Sequence, residues 1–223
     1  MSSYEDAVQT LEAELGQVEQ AFRGLAEDDW RTPTLLQPVD EELAPWTLLE
    51  LAGHFDISIG LTRMLITSQE PGQVGRDRVS FFIFHRAEVA PVVYNYAYTM
   101  VDGKTPGQMA DVLHETFRAT ISESRATDPG AVGSGYYALM RLDEFVPSRV
   151  VEAVVHGLDL TDALGQASMA TPGGLAMTAA ILDELLARRT VAGRPADLAD
   201  DMAWVRAASG RAPHADPRLP LIG

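Results

Sequence analysis

The chain has 223 residues, enough for one large domain and too few for two well-cored ones, and its 46% hydrophobic share is that of a folded globular protein. There are 17 Lys and Arg against 32 Asp and Glu, a formal net charge of -15, so the surface repels phosphate backbones and anionic headgroups. Neither nucleic acid nor a membrane is expected as a partner. Cysteine is absent, which excludes a disulfide scaffold, a zinc finger, an iron–sulfur cluster and a cysteine nucleophile; any thiol chemistry must use sulfur brought in on a small molecule. The acidic start, Tyr4-Glu5-Asp6, does not read as a signal peptide, and no run of apolar residues is long enough to span a bilayer. A cytoplasmic location is the expectation.

Helical periodicity dominates the chain, and no tandem repeat interrupts it. Leu11, Leu15, Val18, Phe22 and Leu25 recur at three- and four-residue steps and predict an amphipathic helix over 4–25. Residues 28–45 hold Pro33, Pro38 and Pro45 and read as a long connection. Thr47 with Glu50 matches a capping box that opens a second helix, ending near Ser68 ahead of Pro71-Gly72. Residues 79–101 are aromatic and aliphatic but carry Pro91, which predicts a helix broken near that proline. Thr105-Pro106 opens a helix to about Arg125 with Met109, Leu113, Phe117 and Ile121 as its stripe. Residues 128–135 read as a loop. Pro147 is expected to open a helix that stops at Gly165. Two more helices are predicted over 172–189 and 200–208, and a proline-rich tail from Gly210 is expected to lie extended over the surface with His214 solvated. No segment alternates with period two. The fold class is therefore all-α, a bundle of four to six helices.

Polar side chains on apolar faces are the informative exceptions. On the second helix, His54 lies within about 60° of Leu51, Ile57, Leu61 and Leu65, so it points with the core stripe. Residues 150–164 are apolar almost all the way round except for Glu152, His156 and Asp159, which share one face. A buried unpaired carboxylate costs several kcal/mol, and a divalent cation suits both a carboxylate and an imidazole. The ordinary alternatives are a core histidine bonded to a carbonyl, and a Glu152–His156 ion pair one turn apart. Two imidazoles and one carboxylate from two helices form a three-ligand set with open positions, the pattern of catalytic zinc and equally of non-haem iron.

Residues 46–54, Trp-Thr-Leu-Leu-Glu-Leu-Ala-Gly-His, resemble the start of the second helix in DinB-like proteins, and residues 149–160 resemble the R-x-x-E-x-x-x-H-x-x-D helix of the mycothiol-dependent maleylpyruvate isomerase branch. Asp29-Trp30 and the Ser209-Gly210-Arg211 tail are similar to parts of short actinobacterial members. The resemblance implies a DinB-like up-down four-helix bundle over 1–190 with one or two extra short helices, and a short helix and tail over 191–223 packed on it. It implies a metal held by His54, Glu152 and His156: zinc, with nickel, iron and manganese as alternatives. A low-molecular-weight thiol, mycothiol, would occupy an open position and attack a small-molecule electrophile in an isomerase or S-transferase reaction. In the isomerase a basic residue on the third segment contacts the thiol's carboxylate, and Arg86 is the candidate for it here. The isomerase's additional carboxy-terminal α/β domain cannot be formed by the residues after Thr190.

Asp159 is a candidate to orient His156, and His85 a candidate to line the pocket. A monomer or homodimer is expected. A metal-dependent hydrolase on the same scaffold and a non-catalytic ligand-binding bundle are the rival functions. Gly103-Lys104-Thr105 lacks the glycine a phosphate loop needs, and Gly130, Gly133 and Gly135 follow no strand.

Overall fold

The computed structural model describes residues 3–36, 38, 43–84, 86–136 and 138–222. Seven α-helices occur among them: α1 (Tyr4–Arg23), α2 (Leu48–Thr67), α3 (Arg86–Val101), α4 (Pro106–Ala126), α5 (Leu142–Ala163), α6 (Pro172–Arg189) and α7 (Asp201–Ala208). No helix among the described residues is long and apolar enough to cross a membrane.

The caps expected at Thr47 and Thr105 form, and the structure adds others. Ser3, Thr47 and Thr105 close capping boxes with Asp6, Glu50 and Gln108, and the Thr171 and Asp200 side chains accept amide hydrogens at the starts of α6 and α7. The connection before α2 is pinned to it: Thr34 N–H and Oγ1–H donate to the Trp46 carbonyl at 2.7 and 2.9 Å, and Leu48 N–H donates to Thr32 O at 3.0 Å.

Helices α1, α2, α4 and α5 enclose the core, with α3 against α2, α6 against α5 and α7 against α6. Phe55 of α2 sits at its centre, edge-on to Phe22 (5.9 Å) and Phe117 (6.4 Å). Tyr4 Oη–H donates to Ser124 O and Arg23 reaches Asp111, so α1 and α4 are antiparallel. Thr116 donates to Asp56 and Arg63 pairs with Glu123, so α4 runs parallel to α2. Arg149 of α5 meets Ser58 while Glu152 faces His54, so α5 returns antiparallel to α2. The order is up-down-down-up, because α3 supplies the return between α2 and α4. The helices added to these four are α3 with 16 residues, α6 with 18, as predicted over 172–189, and α7 with 8.

Two proline-based expectations need correction. α3 is continuous through Pro91, and α5 begins at Leu142 rather than at Pro147. Each proline is the sixth residue of its helix and forgoes a single bond close to an end whose first amides have no intrahelical acceptor. A short antiparallel hairpin, β1 (Val132–Ser134) with β2 (Leu139–Arg141), occupies part of the expected loop, in register Val132↔Arg141. Three residues per strand are too few to show a period.

The tail is tied to α6 and α7. Leu221 is buried, its N–H donates to Ala208 O at 2.7 Å, and Arg189 donates to its carbonyl. His214 is not simply solvated, since its Nε2 meets Asp197 at 3.1 Å while its Nδ1 accepts from Asp216 N–H.

Candidate metal centre

Three side chains predicted to converge do so. The Thr47 cap sets where α2 begins, and two turns later His54 faces the middle of α5. Gly53 makes room beside it: a Cβ there would lie 2.7 Å from Ala97 O and 2.8 Å from Val101 Cγ1, so only glycine lets α3 approach α2 this closely. On α5, Glu152 and His156 stand one turn apart on the face toward His54.

One ligand atom each from His54, Glu152 and His156 lie within 4.8 Å of one another. Glu152 Oε2 is 3.4 Å from His54 Nε2 and 3.4 Å from His156 Nε2. Those separations are long for a charge-assisted hydrogen bond, which closes to about 2.7–2.9 Å. Both ring nitrogens of His54 are buried without a hydrogen-bond partner. The rings of His54 and His156 meet edge to face at 4.3 Å, and Trp46 leans on His54 at 5.1 Å.

Asp159 lies within hydrogen-bond reach of His156. His156 Nδ1–H donates to Asp159 Oδ2 at 2.8 Å, which turns Nε2 toward Glu152 and His54. Asp159 is in turn gripped by Arg211, whose Nε and Nη2 donate to its two oxygens at 2.9 and 2.7 Å. Arg211 arrives from the tail through a local backbone device. Gly210, at φ +76°, follows the cap of α7; its N–H donates to Ala207 O and Arg211 N–H donates to Arg206 O, the paired bonds that reverse a chain at a helix end.

Arg149 completes the surroundings. Its side chain is 1% exposed, its guanidinium lies 4.5 Å from the ring centres of both Phe81 and Phe145, and it donates to Ser58 O at 2.9 Å. Its Nη2 is 4.0 Å from Glu152 Oε1. Sequence spacing assigned neither arginine a role. The available signals were an arginine three residues before Glu152 on an apolar helix, and a glycine two residues past the end of α7.

These contacts set the protonation states. Burial, then the neighbouring His156, pushes the His54 pKa down. Burial opposes the charge on His156, but the bond to Asp159 and the nearby Glu152 carboxylate outweigh it and raise the pKa. For Glu152 burial is likewise outweighed, by His156, His54 and Arg149, and the carboxyl falls well below its usual range. Asp159 is held down at about 2, Arg211 overcoming its burial.

His85 lies outside the described residues. Arg86 is the first residue of α3, described by its backbone alone. The three convergent groups open on a cavity of about 790 Å³ bounded by α2, α3, α5 and the tail, within the range of small-molecule sites.

Among solved structures, that of the mycothiol-dependent maleylpyruvate isomerase aligns with a TM-score of 0.55 at 13% identity, covering 82% of this chain and 70% of that one. A histidine-to-alanine mutant of the same enzyme aligns at 0.58 and 12% over the same shares. The two folds are alike. The all-α class expected from the sequence is the one observed. No protein-family model and no curated protein matches the sequence. At this identity the likeness to the isomerase concerns the fold alone.

Proposed function

We propose that this protein is a metal-dependent enzyme that uses a low-molecular-weight thiol, mycothiol or one like it, in an isomerase or S-transferase reaction. The observation that carries the reading is the pair of 3.4 Å separations around Glu152 Oε2. Ligand atoms bound at about 2.1 Å to one tetrahedral cation stand roughly 3.4 Å apart. A donor set of two imidazoles and a carboxylate suits zinc and leaves a position open. The unpartnered ring nitrogens of His54 supply a second reason, since a buried imidazole with no hydrogen bond calls for a ligand.

His54, Glu152 and His156 would hold the cation. When bound, it supplies the positive charge that keeps a thiol ionised at neutral pH. Asp159 fixes the tautomer of His156, and Arg211 fixes Asp159. With His156 and His54 as the stronger influences, Arg149 adds a positive charge behind Glu152 that helps keep the carboxylate ionised. The apolar walls exclude water, so the sulfur meets the electrophilic carbon without competing hydration. With a cis-enedioyl acid, addition, rotation and elimination give the trans isomer; with an activated donor, the result is S-transfer.

Elemental analysis tests the assignment. The purified protein is expected to carry one equivalent of divalent metal and His156→Ala none. Stoichiometric metal retained in that variant would falsify it. Mycothiol binding by the metal-loaded protein supports the thiol reaction, whereas indifference to thiols would point to hydrolysis on the same scaffold.

A further inference from the structure

The cavity beside the metal centre is walled mainly by hydrocarbon and aromatic rings. Ile57 and Leu61 of α2, Phe82 from the segment before α3, Val93 of α3 and Val155 of α5 form its interior. Its mouth is apolar as well. Leu35, Met64 and Tyr96 line it while 68%, 36% and 49% exposed. Large apolar side chains gathered at one opening mark a binding site rather than random exposure.

The charges on these walls are already committed. Among the described residues, the arginines that reach the cavity are Arg149 and Arg211, beside the two histidines of the candidate centre. The first is clasped between two phenylalanine rings and bonded to Ser58 O and Ser148 Oγ. The second is bound to Asp159 through two bonds. The acidic groups at the cavity are Glu152, Asp159 and Asp162, and Asp162 is held by Arg206. Among the described residues, a carboxylated ligand would thus find both cavity arginines already engaged and no lining carboxylate in need of a partner, in a chain whose net charge of -15 already repels anions.

We infer that the electrophilic substrate is an uncharged, largely apolar molecule, of the size and character of an aromatic enone, seated against Ile57, Leu61 and Phe82. This rests on the thiol-dependent reading given above and names its second substrate class, one distinct from a dicarboxylic acid.

Fluorescence titration with N-phenyl-1-naphthylamine, a neutral apolar probe, tests it on the full chain. One site is expected, displaced by the neutral enone benzylideneacetone and not by maleate. Leu61→Glu, which puts a charge on the half-buried wall, should weaken the probe about tenfold or more. Met64→Glu at the exposed rim should weaken it in the same direction, and serves where Leu61→Glu fails to fold. Displacement by maleate at lower concentration than by benzylideneacetone, or unchanged probe affinity in folded glutamate variants, overturns the inference. Metal content is read on the same preparations. Preference for the neutral ligand in protein that holds no metal supports this inference and removes only the thiol chemistry. Preference for maleate in metal-loaded protein overturns this inference alone.

Discussion

Replacing Arg211 by glutamine removes a guanidinium from Asp159 while keeping most of the hydrocarbon stem. Asp159 is 4% exposed, and its pKa is lowered from 3.8 to about 2 with Arg211 as the leading stabilising influence. A depression of that size is worth roughly 2 kcal/mol of folding free energy at neutral pH. Because the folded pKa lies below the unfolded one, the stabilisation is complete above the unfolded value and fades as pH falls through the folded one. About half of it should remain at pH 3 and almost none below pH 2. Arg211→Gln is therefore expected to lose up to about 2 kcal/mol in urea denaturation at pH 7, and correspondingly less at pH 3. It should also bind metal about 10–100-fold more weakly, since His156 loses a fixed orienting partner. Equal losses at both pH values would show that Arg211 acts by packing the tail, and a variant with unaltered metal affinity would break the chain from Arg211 through Asp159 to His156.

Metal binding should depend on pH through one proton. His54 is held neutral by burial, whereas His156 carries a raised pKa. Below that pKa each cation displaces one proton, so log affinity should rise by about one per pH unit and level off above it. Competition against a buffered chelator reads this slope, and a slope of two would contradict the unequal states of the two histidines. Gly53→Ala drives a methyl into Ala97 O and Val101 and should cost about 1–3 kcal/mol. Gly16→Ala, exposed on α1 with nothing within 4 Å, should instead stabilise by about 0.5–1 kcal/mol. Thermal melts of the two variants would have to move in opposite directions.

Much of the helical layout was legible because its signals are local. Capping residues bond to amides within three positions, and apolar residues recur with the helical period, so the start of α2 and both ends of α6 follow from neighbouring residues alone. The same locality misleads at Pro91 and Pro147. A proline marks a helix start in isolation, yet tertiary packing around the preceding turn can offset its one lost bond. The hairpin escaped for the opposite reason. Its strands are short, and Gly133 is admitted by contact with Leu65 of α2, a neighbour 68 positions away in the chain.

The candidate centre divides in the same way. Sequence determined that Glu152, His156 and Asp159 share a face of an apolar helix, since the pitch of 3.6 residues requires it, and that His54 points inward on another. Only tertiary structure decided that the two faces meet, with two matched 3.4 Å separations about one carboxylate oxygen. It alone decided that Arg211, 52 residues after Asp159, returns to grip it. Helical pitch is set by backbone bonds four residues long, whereas the meeting of α2, α5 and the tail depends on how buried surfaces fit across the whole chain.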